Sequence, residues 1–544
     1  MKKRLKERSP GGAEGDSSEY GDPASKLPTL NWSPTGCVRV SCIALAFVAS
    51  GILPSDVRAE APFSLFAAAP LQDPTTGPSA LPNERPGPDT DGVVITEELL
   101  EGVDNVTGDV EALTEKLEAL QARFNELDEE READAAAKKK KSNYRLTGRV
   151  HIDQWQFAES DPGVNFIERG QYDLDPADRF VFRRLRLELA GEVPQNMIFR
   201  MQVDFNRPQT PEIKDAYIGW TNLPYNQTLV LGNQKRPLGL DHLNSSRYNV
   251  FAERPLAVET FNEDARRFGL TMYGHSDDES LGWAYGLYNL DNIATTGRYI
   301  GDAAQFGGYS RLWRSPWYDE TSGGRGYWHV ALAGALAKPD GDAVENFNVN
   351  ENEARFRTRP LARSSERWLN TGRIDGAEWY QVLAVENMLN LGSLQITGEY
   401  FLTPLQRDDS VAPANQDLFF HGGYIFASYF LTGEHVPYDR TSGTIGRVRP
   451  HENFFLVDRF CGGDGHGWGA VQVALRYDYL DLTDGDIRGG VGNMITAGLN
   501  WHWTAYSKVQ NNLIFGDISE SGLMGPATDN GQFVIFGSRF MLDF

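Results

Sequence analysis

Four cations stand close together in this chain: Lys235, Arg236, Arg247 and Arg254. Such groups do one kind of chemistry well, which is to hold oxyanions. A guanidinium offers a planar fork matched to two oxygens of a phosphate or carboxylate, and an ammonium adds a compact point charge. A second set, Arg184, Arg186, Arg200 and Arg476, lies in stretches where every other residue is apolar, as in Phe182-Arg183-Arg184-Leu185-Arg186-Leu187. Strand alternation puts these side chains on the face opposite the apolar residues, together with Arg145 and Arg149. A competing reading uses the same residues as braces: Asp153, Glu188, Asp204, Asp215 and Asp478 share that face and would pair with them.

Covalent chemistry finds no foothold. The chain has no Gly-x-Ser-x-Gly elbow, phosphate-binding Walker loop or His-Glu-x-x-His helix. Cys461, Asp464 and His466 cluster in CGGDGHGWG, with His421 and His435 on either side of the preceding strand. A metal centre needs ligands at fixed spacing with a supporting shell, and this glycine-rich stretch reads as a turn. The expectation is therefore a protein without catalytic residues, metal or cofactor.

Alternation is the pattern that must position the cations, and it recurs from Tyr144 to the end. Met197, Phe199, Met201, Val203 and Phe205 alternate with Ile198, Arg200, Gln202, Asp204 and Asn206. In the last strand, Val534, Phe536, Ser538, Phe540 and Leu542 alternate with Ile535, Gly537, Arg539, Met541 and Asp543, and the chain stops at Phe544. One lipophilic face and one face carrying both signs of charge is what lipid outside and water inside demand. Tyr144, Trp220, Tyr477, Tyr479, Trp501 and Trp503, near strand ends, fit interfacial girdles. Sixteen such runs are expected, near 144–157, 179–190, 195–206, 212–220, 227–236, 266–275, 281–290, 304–314, 325–337, 375–387, 392–402, 418–432, 468–481, 492–504, 507–517 and 531–544. The fold class is an all-β membrane protein, a 16-stranded antiparallel transmembrane β-barrel over 144–544, wide enough for an aqueous channel. Residues 433–467 strain this count, being long on the side where parity expects a short turn. Either the count is off by a pair or the segment folds into the lumen.

Composition agrees. The mean hydropathy is −0.44 and no run of ~20 apolar residues exists, so helical spans are excluded, while a barrel exposes only alternate residues to lipid. A net charge of −23 and a pI near 4.9 argue against nucleic acid as a partner.

Ahead of the barrel, residues 1–59 read as a leader, with Lys2, Lys3, Arg4, Lys6, Arg8 and Arg39 before the apolar stretch VSCIALAFV and a cleavage-like Val57-Arg58-Ala59. Residues 60–92 are a Pro/Gly-rich linker. Over 93–135, Leu99, Val103, Val106, Val110, Leu113, Leu117, Leu120, Phe124 and Leu127 recur at spacings of three and four, predicting a short periplasmic coiled coil. An amphipathic helix packed on the barrel is the alternative. Gly102 and Gly108 weaken its first half, so the stable part is Val110 to Leu127. Residues 136–143, with the run Lys138–Lys141, form a basic tether.

The barrel region resembles the phosphate-selective porin O and P family. The resemblance is carried by Phe182-Arg183-Arg184-Leu185-Arg186-Leu187, Val203-Asp204-Phe205, Lys214-Asp215-Ala216-Tyr217-Ile218 and Gly232-Asn233-Gln234-Lys235-Arg236-Pro237-Leu238-Gly239-Leu240. Ser245-Ser246-Arg247-Tyr248, Phe251-Ala252-Glu253-Arg254, Tyr429-Phe430-Leu431-Thr432-Gly433-Glu434, Gly446-Arg447-Val448-Arg449-Pro450, Arg476-Tyr477-Asp478-Tyr479-Leu480 and Gly498-Leu499-Asn500-Trp501 extend it over almost all of 144–544. It implies an outer-membrane homotrimer, each barrel constricted by an inward-folded third loop, here the segment carrying Lys235, Arg236, Arg247 and Arg254. It also implies a long periplasmic connection entering the lumen, which would account for 433–467. The partners expected are other copies of the chain, outer-membrane lipid, inorganic anions or small hydrophilic solutes, and the assembly machinery that takes a last strand ending in Phe544.

Only four lysines, Lys214, Lys235, Lys338 and Lys508, follow Ser142, and acidic residues outnumber basic ones there by roughly fourteen. Net charge speaks to solubility and steering rather than to a constriction. The reading is a porin with anion preference, phosphate or polyphosphate selectivity being left open. A second reading is a barrel of little or no conduction that anchors the envelope through its coiled coil. Removing residues 95–135 should leave a barrel trimer that is less heat-resistant, measured by light scattering in detergent. Recovery of monomers alone would mean that the heptad segment drives assembly.

Overall fold

The computed structural model describes residues 115–128 and 142–544, apart from positions 195, 208, 264, 293–304, 342–352, 409–415 and 459–463. The expected leader and linker, most of the expected coiled coil and basic tether, and Cys461 lie outside the described residues. Residues 115–128 are helical, and Leu117, Leu120, Phe124 and Leu127 are all exposed along them.

Sixteen strands hydrogen-bond in one closed antiparallel barrel. They are β1 (Asn143–Ser160), β2 (Arg179–Val193), β3 (Met197–Asp204), β4 (Glu212–Leu223), β5 (Gln227–Lys235), β6 (Arg266–His275), β7 (Leu281–Asn289), β8 (Phe306–Tyr318), β9 (Gly326–Lys338), β12 (Ala377–Leu391), β13 (Leu394–Arg407), β14 (Leu418–Phe430), β19 (Ala470–Asp484), β20 (Ile487–His502), β21 (Ser507–Ser521) and β22 (Asn530–Asp543). Short ladders fill the gaps in the numbering: β10 (Arg355–Thr358) with β11 (Leu369–Arg373), β15 (Tyr438–Asp439) with β16 (Thr444–Ile445), and β17 (Phe455–Asp458) with β18 (Asp464–Gly467). The barrel closes where β1 pairs with β22, Arg149 opposite Asp543 and Phe157 opposite Ile535. Closure leaves no edge, so every wall strand finds its backbone partners in the ladder. Phe180, Leu187, Met201, Leu332, Leu475 and Leu542 are exposed on the outer face.

Each of the sixteen expected runs corresponds to one barrel strand. Several strands run further than the apolar alternation does, β8 to Tyr318 and β20 from Ile487, because ladder hydrogen bonds continue past the lipophilic band. One rim carries short turns, such as 194–196, 224–226, 392–393 and 503–506, and the other carries the long connections 161–178, 236–265 and 339–376. The connection 431–469 is long on the short-turn rim. The strand count stands, and only the first half of the connection enters the lumen. Tyr438 and Ile445 are buried there, Trp313 Nε1 donates to the Arg440 carbonyl at 2.9 Å and Tyr327 Oη to that of Val436 at 2.9 Å. At Gly443, φ is +61° and a Cβ would meet the Trp313 ring at 2.7 Å, so the turn needs glycine there. The second half forms the β17–β18 hairpin.

One expectation about the interior needs correction. The inward face is not uniformly watery. The connection 236–265, with helices Leu240–Leu243 and Leu256–Phe261, crosses the lumen and buries Leu238, Phe251, Leu256 and Phe261 against inward-facing Phe401, Phe426, Leu480 and Ile514. Phe356, Trp368 and Leu369, around β10 and β11, join the same cluster from above. Half of the barrel is thereby filled by an apolar core, and water is left the other half.

Charge fastens the short-rim insertion. Arg311 on β8 meets Glu386 on β12 at 2.7 Å, both buried, and donates to the carbonyl oxygens of Ser442 at 3.2 Å and Gly443 at 2.9 Å. Removing one partner of a buried pair strands the other and costs about 3–5 kcal/mol. Glu386→Ala should lower the temperature at which the unheated gel band converts to the boiled one, and Glu386→Gln should lower it less.

Candidate functional site: a cationic channel

The water-accessible half of the lumen is a cavity of about 1080 Å³. The walls β1 to β6 form one side and the crossing connection 236–265 the other. Near the long-connection rim Arg359, Arg363 and Arg367 line it; near the short-turn rim Arg145, Arg447 and Phe544 do. Among the described residues, sixteen arginines and two lysines face it, against five carboxylates.

Wall residues fix the backbone of the crossing connection. Glu399 on β13 accepts hydrogen bonds from the Leu240 amide at 2.6 Å and the Asp241 amide at 2.8 Å. Asn512 on β21 accepts from the Ala252 amide at 2.8 Å, and Asn500 on β20 donates to the Val250 carbonyl at 2.8 Å. Glu253 receives Arg183 at 2.6 Å and Arg539 at 2.6 Å, joining the connection to β2 and β22.

Six of the eight residues singled out from sequence line the cavity: Lys235, Arg247, Arg254, Arg184, Arg186 and Arg200. Two do not. Arg236 turns onto Tyr309, whose hydroxyl accepts at 3.1 Å, and onto the Glu263 carbonyl at 2.9 Å. Arg476 lies beneath the connection, 4.4 Å from the Phe251 ring centre, paired with Asp478 at 2.6 Å and donating to the Glu253 carbonyl at 3.1 Å. Parity places a side chain inward but does not say whether a loop then covers it.

Among the six, tasks differ. Lys235 Nζ donates to the carbonyls of His242, Leu243 and Asn244 at 2.8–3.0 Å, capping the first lumenal helix. Arg254 pairs with Asp241 at 2.6 Å, Arg186 with Asp204 at 2.6 Å, and Arg200 approaches Glu188 at 3.6 Å. Bracing therefore accounts for these three. Arg247 approaches Asp543 at 3.7 Å and donates to Thr147 Oγ1 at 3.4 Å and the Gly148 carbonyl at 3.5 Å. Among the described residues, Arg184 has no carboxylate within ion-pair distance, its side chain lying 3.3 Å from His151 Nδ1.

The sequence reading passed over the most basic stretch. Arg355, Arg357, Arg359, Arg363 and Arg367 lie within 338–374, read there only as a long connection. The two-residue spacing of the first three was the available signal; Arg355 and Arg357 follow the pleat of β10, and Arg359 comes just after its end. Glu263 takes Arg357 at 2.6 Å and Arg367 at 2.8 Å. Glu168, at the end of the helix Pro162–Arg169, receives the Ser365 amide at 2.7 Å, the Glu366 amide at 3.1 Å and Trp368 Nε1 at 2.9 Å. Among the described residues, Arg363 has no carboxylate within ion-pair distance, Glu253 and Glu259 acting on it only from further away. Burial, then Arg183 and Arg359 beside it, pushes its guanidinium down to about 9, still charged at neutral pH. Crowding of like charge in a half-dry space is relieved by a bound anion.

The two basic residues on either side of Pro237 and Ser246 give a contrast to measure. At an effective dielectric near ~20, a charge ~4 Å from an ion is worth about 4 kcal/mol, against ~1 in water. Arg247→Gln should move the zero-current potential of a salt gradient toward cations. Arg236→Gln should leave that potential in place and lower heat resistance instead.

Comparison with known proteins adds the family. A family model for phosphate-selective porin O and P matches residues 146–544. A protein of Caulobacter vibrioides, described as uncharacterized, is 22% identical over 409 residues, 74% of this chain and 74% of that protein. Among solved structures, the anion-selective porin of Comamonas acidovorans is similar at 13% identity and a TM-score of 0.41, over 74% of this chain and 100% of that one. The outer membrane channel DcaP of Acinetobacter baumannii is similar at 10% identity and a TM-score of 0.42, over 74% of this chain and 97% of that one. With the family's pattern running through the whole barrel, from its first strand to Phe544, the chain belongs to the phosphate-selective porin O and P family.

Proposed function

We propose that this porin is an outer-membrane diffusion channel that prefers anions, with phosphate or a short polyphosphate as the solute its arginines hold best. One observation carries the reading: among the described residues, the cavity is lined by eighteen cations and five carboxylates, although the barrel sequence is acidic overall. Selectivity is set where water is scarce and fixed charges are close, so lining outweighs net charge. Arginine-rich lining favours oxyanions that accept two parallel hydrogen bonds over a spherical halide. Arg184 and Arg363, which among the described residues make no ion pair with a carboxylate, are the residues best placed to give that preference.

The working unit is proposed to be a trimer, its exported chains carrying the heptad segment in the periplasm. The exposed row Leu117, Leu120, Phe124 and Leu127 supports this, since such a stripe is buried only when helices associate. The same row supports the envelope-anchor reading, which a cavity lined by residues near both rims argues against.

Recordings in planar lipid bilayers test the function. Discrete conductance steps in chloride, a zero-current potential on the anion side, and a fall in chloride current on adding phosphate are expected. Arg184→Gln with Arg363→Gln should weaken the phosphate effect about tenfold in concentration, the size of a ~1.4 kcal/mol loss. Absence of steps would leave the anchor reading, and cation preference would overturn the assignment of the arginines.

A further inference from the structure

The half of the 431–469 connection that stays outside the lumen ends in aromatic residues that no part of the channel uses. Ile495 and Leu499 of β20 are exposed on the outer face, whereas Asn500 and His502 are buried inward. Trp501 and Trp503 continue the outer stripe to the short-turn rim. There they meet the connection. Trp501 Nε1 donates to the Trp468 carbonyl at 2.7 Å, and the Phe454 amide donates to the Trp503 carbonyl at 2.7 Å. The Phe454 ring lies 4.4 Å from that of Trp501 and 6.2 Å from that of Trp503, while Phe455 lies 6.3 Å from Trp503.

The backbone is bent to bring both phenylalanines to this side. Successive residues of an extended chain face opposite ways. Phe455 instead has φ +70°, a conformation costly for a bulky side chain, and its ring centre is 3.8 Å from that of Phe454. Strain of this kind persists where the surroundings hold it in place. Yet Phe455 is 57% exposed and Trp468 79%. An exposed phenylalanine and an amphipathic tryptophan left open at a barrel rim, continuous with its lipophilic outer face, match the chemistry of the membrane–water boundary.

We propose that Phe454, Phe455 and Trp468 form an anchor seated among the lipid headgroups and upper acyl chains of the periplasmic leaflet. It clamps the connection from outside while the other half, with Thr441, Ser442 and Arg447, lines the channel from within. The connection thus straddles the wall, held on one side by lipid and on the other by Arg311. The proposal rests on the membrane reading of the barrel, and the experiment separates the two.

Trp468→Phe is mild at an exposed position and isolates one tryptophan's emission by difference from the unaltered protein. Both proteins are reconstituted into liposomes, and conductance or heat-modified gel migration of the same samples establishes insertion. With insertion established, the emission lost in Trp468→Phe should be quenched by phospholipids brominated near the headgroup end of the acyl chains and spared by aqueous iodide. Quenching by iodide without quenching by bromolipid would put Trp468 in water and overturn the anchor. Quenching by neither would mean that protein, such as a second copy of this chain, covers the site, which also overturns it. Failure of insertion itself would count against the barrel reading instead.

Discussion

A backbone segment taken out of water must find partners for all its amides and carbonyls, and the crossing connection of this barrel meets that demand with side chains rather than with a ladder. Lumenal strands offer a row of them: Glu399, Asn500, Asn512, Lys508 and Arg539 each reach its main chain. These residues face inward, where a barrel of this width has room for polar groups, and are spent on the loop rather than on solute. Everything else about the lumen follows from where that loop comes to rest.

Resting against β13, β14 and β19 to β22, the loop divides the interior by chemistry. Its apolar residues, Phe251, Leu256 and Phe261 among them, face the wall and make a dry core. Its other side faces β1 to β6, where Arg149, Arg184, Arg186 and Arg266 project. The width of the channel is therefore governed by packing on the dry side, while its charge comes from the uncovered strands, from the loop's own Arg247 and Arg254, and from Arg357, Arg359, Arg363 and Arg367 of the 339–376 connection. An acidic chain can enclose a basic channel because the two populations of charge occupy different surfaces.

The strands were legible in the sequence because lipid imposes a period of two on one face regardless of what the other face does. That is why Met197 to Phe205 and Val534 to Leu542 could be assigned a side. The inner face has no such master. Leu480 and Ile514 look out of place for a watery lumen until the loop that covers them is known, and Arg476 reads as a channel residue until Phe251 is seen above it. Arg236 failed for the same reason, being inward yet turned onto Tyr309. The basic row through Arg355, Arg357 and Arg359 escaped because β10 is too short to announce itself by alternation. Sequence pattern fixes the wall; the contents of the wall depend on contacts between segments far apart.

That distance has a temporal side. The seat of the crossing connection is built largely from the last strands of the chain: Asn500 reaches Val250, Asn512 reaches Ala252, and Arg539 reaches Ala252 and Glu253. Contacts so remote in sequence are late to form, since the intervening chain must be ordered before they are made. Strands β5 and β6 are neighbours in sequence, and the loop between them finds Glu399, Phe401 and Phe426 on β13 and β14, but its seat is complete only with β19 to β22 in place. Arg539 and Asp153 pair across the β1–β22 seam and Arg539 also holds the loop at Ala252 and Glu253, so closing the barrel and fixing the width of its channel are one event.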